Sequence, residues 1–99
     1  MAPGRPQPLR RFVVADRSME PSLVEGQGLI TTPYGRAKPG QVRCVEHPQR
    51  PGFWLVKRVA AVHGDRMDVV SDNPAGATFA DVMAEGSYRV LIAIPKRFM

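Results

Sequence analysis

Phe53-Trp54-Leu55-Val56-Lys57-Arg58-Val59-Ala60-Ala61-Val62 is the stretch on which the fold turns, because it is the strongest strand candidate in the chain. Side chains on a strand alternate between its two faces. Trp54, Val56 and Arg58 therefore share one face, and Leu55, Lys57 and Val59 share the other. That alternation sets the Lys57 amine between two apolar neighbours, an environment that disfavours the ammonium form and lowers a lysine pKa.

Downstream of this strand, His63-Gly64-Asp65-Arg66 reads as a hairpin turn and residues 67–70 as the returning strand. Ser71-Asp72-Asn73-Pro74-Ala75-Gly76 has the chemistry of a turn-rich loop. Residues 77–85 read as one helical turn or an irregular excursion, ended by Gly86. Tyr88–Ile94 is a final strand, followed by a short tail.

Upstream, residues 47–52 form a loop on composition, and residues 41–46 alternate loosely as a strand. Residues 33–40 are a turn-rich connection, and Gly28–Thr32, rich in β-branched residues, is another strand. Residues 16–25 form a bend closed by Gly26, preceded by a first short strand over residues 12–15. Residues 1–10, basic and proline-rich, read as a flexible tail, which leaves residues 11–99 as a single domain. Roughly six short strands with almost no helix predict an all-β fold, a compact coiled antiparallel sheet or partly open barrel.

The bulk composition agrees. Ninety-nine residues suit one small domain with one modest core rather than two. Hydrophobic residues make up 43% of the chain, which predicts a folded protein. Ten prolines and nine glycines argue against long helices. The net charge is +5, but much of the excess sits near the two ends (Arg5, Arg10, Arg11, Lys96, Arg97). No aromatic-interleaved basic stripe accompanies it, so nucleic-acid binding is not expected. The single cysteine, Cys44, excludes an internal disulfide and a multi-thiolate metal site, and its apolar-leaning surroundings mark it as a core side chain. No metal or cofactor is called for. No run approaches the roughly 18–20 apolar residues that span a bilayer, and the N-terminus lacks the apolar centre of a secretion signal. Taken as complete, the chain is expected to be soluble and cytoplasmic.

Chemistry enters through Arg17-Ser18-Met19-Glu20-Pro21-Ser22-Leu23. Pro21 fixes φ near −65° and removes a backbone donor, so the strand cannot run on past Ser18. The serine is expected at a bend with its hydroxyl presented. A serine nucleophile needs a base in hydrogen-bond reach and an oxyanion site beside it. The chain has two histidines, His47 in a proline-flanked loop and His63 in a turn, and neither context positions an imidazole. A lysine kept dry and neutral performs the same task.

Ser18-Met19-Glu20-Pro21-Ser22-Leu23 resembles the nucleophile box of the signal peptidases and the related LexA-type Ser-Lys peptidases. Lys57 to Val69 resembles the lysine box of the signal-peptidase branch, with His63 where proline or glycine is usual. Asp72-Asn73-Pro74 resembles the third box, with Ser71 in place of its glycine. The resemblance implies a β-rich peptidase in which Ser18 attacks a peptide carbonyl, Lys57 is the general base and the Ser18 backbone N–H is an oxyanion donor. Arg58 and Asp72, from the second and third boxes, are implied as supporting residues. Signal peptidases follow the third box with Ser-x-Asp-Ser-Arg; here Thr78 is implied to stand for the serine that hydrogen-bonds the lysine and Asp81 for the aspartate, while the arginine is absent. The implied partner is a protein precursor whose leader is removed, as in the soluble proteases that mature nickel-type superoxide dismutase.

Two features point elsewhere. Asp16 occupies the position two before the nucleophile, where family members often carry a hydroxyl donor, and an ionised carboxylate there repels developing negative charge. With the missing arginine, it keeps open an alternative reading as a catalytically inactive, peptidase-like binding or regulatory module.

Overall fold

The computed structural model describes residues 8–95 and residue 97. Seven strands follow one another along the chain: β1 (Arg10–Val13), β2 (Gly28–Thr32), β3 (Val42–Glu46), β4 (Trp54–His63), β5 (Arg66–Val70), β6 (Phe79–Met83) and β7 (Tyr88–Ile94). All belong to one sheet in the order β1-β2-β7-β3-β4-β5-β6, and every pairing is antiparallel. The sheet curls into a half-barrel. The fold is all-β, as the strand and turn pattern predicts.

β4 is the spine. Its burial alternates strictly at first, with Leu55, Lys57 and Val59 inside and Trp54, Val56 and Arg58 partly covered. The Gly64-Asp65 turn, with Gly64 at φ 66°, returns the chain into β5. Between Val59 and Ala61 the β4–β5 register slips. This bulge changes which β5-side residue faces Lys57.

Two expectations are corrected here. Residues 79–83 are a seventh strand rather than a helical turn. They pair with β5 at Met67↔Val82 and Val69↔Phe79, although Asp81 sits at φ 56°. Only Val82 of this edge strand is buried, so the sequence lacks the alternation that announces a strand. The first strand also lies two residues earlier than expected and opens with Arg10. Of the tail expected over residues 1–10, residues 1–7 lie outside the described residues, as does most of the C-terminal tail.

The core is likewise divided in two. Val45, Leu55, Val59, Met67, Val69 and Val82 form one cluster. Val14, Met19, Leu23, Leu29 and Cys44 form the other. A curled sheet gives each face its own cover. The second face is closed by the bend between β1 and β2, which inserts Met19 and Leu23, and by Phe12, Trp54 and Tyr88, whose rings pack 5.4–5.7 Å apart. Cys44 is part of this cluster, and burial pushes its thiol up to about 12. On the other face Arg43, 2% exposed, donates from Nε to the Ser87 hydroxyl at 2.8 Å and joins β3 to the start of β7.

Candidate active site

The bend carrying Ser18 is anchored by its own apolar residues. Met19 is fully buried, Leu23 N–H donates to the Met19 carbonyl at 2.9 Å, and Glu20 N–H donates to the Arg17 carbonyl at 3.1 Å. Gly26, at φ 89°, ends the bend, and its N–H returns to the Val14 carbonyl at 2.7 Å. With Met19 and Leu23 turned into the core, Ser18 is left facing outward.

The loop between β5 and β6 closes over this bend. Asn73 N–H donates to the Ser18 carbonyl at 2.8 Å, and Asn73 Nδ2 donates to the Arg17 carbonyl at 3.0 Å. Arg58 reaches the same loop from β4, with Nε and Nη2 on the two Asp72 carboxylate oxygens at 2.8 and 2.7 Å. Asp72 is held below the usual carboxylate range first by this arginine and then by the Ser22 hydroxyl. Asp72 and Asn73 together thus tie the lysine box to the nucleophile box.

The result is a cleft of about 410 Å³ whose walls include both Ser18 and Lys57. Lys57 is 2% exposed. Burial lowers its pKa from the ordinary lysine value, and the charge of Asp16 works in the opposite sense. Its Nζ donates to the Ser71 hydroxyl at 2.7 Å. Ser71 in turn donates to the Ala77 carbonyl at 2.7 Å, so its oxygen presents lone pairs to the amine.

Ser71 is the residue that sequence reasoning missed. Counting back from the hairpin turn without a bulge sets Lys57 opposite Asp72. The slip between Val59 and Ala61 moves the register by one and brings Ser71 there instead. Thr78, implied as the lysine's partner, is exposed and lies outside the cleft lining. Asp81 is also remote from the cleft. Its backbone N–H donates to Asp68 Oδ1 and its carbonyl accepts from Arg66, which serves the β5–β6 edge.

Asp16 takes an unexpected place. Its Oδ1 accepts the Ser18 backbone N–H at 3.0 Å. That bond is the main cause of its lowered pKa, with smaller contributions from the Ser18 hydroxyl and the charge of Lys57. The donor that an oxyanion needs is therefore occupied by the chain's own carboxylate.

The two histidines separate. His63 Nε2 meets Asp68 at 3.0 Å on the exposed hairpin, away from Ser18. His47 sits in the loop read from sequence, but that loop sets it on the cleft wall, with its ring 5.1 Å from Phe79 and its Nδ1 accepting the Gln49 N–H. Among the described residues no group of three or more His, Cys, Asp or Glu side chains is disposed to hold a metal ion. No helix among them is long and apolar enough to cross a membrane.

A family model described as "Signal peptidase, peptidase S26" matches residues 6–74, more than half of the chain. The match takes in the nucleophile bend, the lysine strand and the third box up to Pro74; Thr78 and Asp81 lie beyond it. No curated protein and no solved structure matches the chain.

Proposed function

The chain belongs to the signal peptidase family, peptidase S26, and from that premise we propose that it is a serine endopeptidase in which Ser18 is the nucleophile and Lys57 the general base. The observation that carries this reading is the state of the amine: buried, lowered in pKa, fixed by Ser71 at 2.7 Å, and sharing one cleft with Ser18.

The steps follow from these positions. Neutral Lys57 takes the Ser18 hydroxyl proton as the oxygen attacks the substrate carbonyl carbon. The tetrahedral oxyanion accepts the Ser18 N–H, which Asp16 must release as substrate enters. Lys57, now an ammonium, gives its proton to the leaving amine, and the acyl-enzyme remains. Lys57 then takes a proton from water as the water attacks the ester, and returns it to Ser18. The Lys57–Ser71 hydrogen bond fixes one amine proton and so limits where the nitrogen lone pair points. Catalytic hydrogen bonds of this kind tighten when substrate binds.

The substrate we infer is a protein precursor that loses a leader, the chemistry by which nickel-type superoxide dismutase is matured. The resemblance of the three boxes supports this assignment. Incubating the purified full chain with a proteome-derived peptide library and reading cut sites by mass spectrometry tests it. Cleavage is expected from the wild type and from neither Ser18→Ala nor Lys57→Ala, with both variants folded by circular dichroism. Undiminished cleavage by Lys57→Ala overturns the mechanism. A wild type that neither cuts nor reacts with a serine-directed probe overturns the assignment and leaves a binding module.

A further inference from the structure

One wall of the cleft is a continuous run of stacked groups. The Arg50 guanidinium lies 4.3 Å from the centre of the Phe53 ring. Phe53 meets His47 edge-on at 6.1 Å, His47 meets Phe79 edge-on at 5.1 Å, and the Lys57 amine is 5.9 Å from the Phe79 centroid. The cleft lining includes all five residues. The loop carrying Arg50 is closely hydrogen-bonded: His47 N–H to the Phe53 carbonyl at 2.7 Å, Phe53 N–H to the Arg50 carbonyl at 3.0 Å, and Arg50 N–H to the His47 carbonyl at 3.2 Å. The Arg50 backbone is thus fixed relative to His47 and Phe53.

Every other charged group at the cleft has a partner. Asp16 accepts the Ser18 N–H. Arg17 leans toward Glu20 at 3.9 Å. Lys57 is taken by Ser71. Glu46, at the mouth of the Arg50 loop, accepts the Gly52 N–H at 2.7 Å. Among the described residues the Arg50 guanidinium has no carboxylate within ion-pairing distance, and, unlike the Lys57 amine with Ser71, it lies only against a ring. A guanidinium stacked on a ring keeps its in-plane N–H donors free, in the fork that matches a carboxylate.

We propose that Arg50 selects the substrate: the cleft takes precursors that place an aspartate or glutamate within a few residues of the scissile bond. This inference rests on the peptidase reading above and adds to it the class of sequence that is cut. Stacking and the closed loop hold the fork before substrate arrives, so little ordering is lost on binding. A charge-assisted bond at the rim of a cleft corresponds to about a tenfold preference in kcat/KM over a neutral residue at that position.

The test is the cut-site profile of the full chain on a proteome-derived peptide library, measured for wild type, Arg50→Gln and Arg50→Glu, with Ser18→Ala as the blank. Arg50 is exposed, and thermal melts are expected to be the same for all. Wild-type sites are expected to be enriched in Asp or Glu at a fixed offset from the cut. Arg50→Gln should lose that enrichment, and Arg50→Glu should replace it with Lys or Arg at the same offset, an inversion that a purely structural role would not produce. Cutting without acidic enrichment, or a profile unmoved by Arg50→Glu, overturns this inference and leaves the peptidase assignment standing. No cutting above the Ser18→Ala blank overturns both.

Discussion

The Asp16 carboxylate accepts the backbone N–H of Ser18 at 3.0 Å, so the N–H that the proposed mechanism uses as oxyanion donor is capped in the free protein. The same carboxylate favours the charged form of Lys57. Both effects oppose the proposed mechanism in the resting state, and both are local enough to be removed by one substitution.

Asp16→Ser is therefore expected to raise cleavage. It frees the Ser18 N–H and puts a hydroxyl donor beside the developing oxyanion. One oxyanion donor is worth roughly a hundredfold in kcat in well-studied hydrolases, and a gain of about tenfold is expected here, because substrate already displaces Asp16 in the wild type. The pH profile should move as well. Activity needs neutral Lys57 and so rises with pH through the Lys57 pKa, which burial already holds below the ordinary lysine value of 10.5. Removing the negative charge lowers that pKa further, and the rising limb of kcat/KM should shift to lower pH. A limb that stays in place, or moves up, contradicts the account.

Ser71 is expected to act through Lys57. With Ser71→Ala the amine loses its 2.7 Å partner and its fixed direction. A fall of about a hundredfold in kcat with little change in KM is expected, since the group affects proton transfer rather than substrate binding. Ser71→Thr keeps the hydroxyl and should restore part of the activity. Thr78→Ala, on an exposed residue outside the cleft, should leave the rate unchanged. Steady-state kinetics on a peptide recovered from the library decides between the two partners.

How far the sequence could be read depended on how each element is buried. β4 was legible because Leu55, Lys57 and Val59 are covered on one side and Trp54, Val56 and Arg58 half-covered on the other, so apolar content and alternation agree. β6 was not, because four of its five residues lie at or near solvent and Asp81 takes a left-handed conformation. Ser18 and Lys57 were singled out from local composition and from their resemblance to family boxes, and the fold sets both on the wall of one cleft. The Lys57–Ser71 hydrogen bond was not legible, because it is set by a one-residue slip in the β4–β5 pairing rather than by distance along the chain. The Arg50–Phe53–His47–Phe79 wall was equally hidden, since a loop's composition does not say which ring stacks on which.

Gly76 should tolerate no side chain. A Cβ at that position would fall onto the Ser71 side chain and lie 2.9 Å from Ser18 Cβ. Neither neighbour has a flexible end that swings aside, so the loop between β5 and β6 must move. Gly76→Ala is expected to lower activity at least tenfold, with a stability loss of about 1–3 kcal/mol from overpacking. Kinetics and urea unfolding read the two effects separately. Unchanged kinetics would mean that the loop does not hold the Ser18–Ser71 geometry.

The Arg58–Asp72 pair gives the stability a defined pH dependence. Asp72 titrates below its ordinary value of 3.8, chiefly because Arg58 grips both carboxylate oxygens. A carboxyl whose folded pKa is depressed stabilises the fold fully above its unfolded pKa, and that contribution drains away as pH falls toward the folded value. The Arg58 side chain is 34% exposed, so solvent screens the pair, and its contribution is set at about 1 kcal/mol rather than at the value of a buried ion pair. Asp72→Asn should therefore unfold at lower urea than wild type at pH 7. As pH falls below 3.8, where the wild-type carboxyl gains its proton, the two midpoints should draw together. Because the loop that carries Asp72 also holds the Ser18 bend through Asn73, the variant loosens that bend, and a severalfold loss of cleavage at pH 7 should accompany the loss of stability. A gap in midpoints that persists undiminished well below that pH would mean that something other than the charge of Asp72 joins the two boxes.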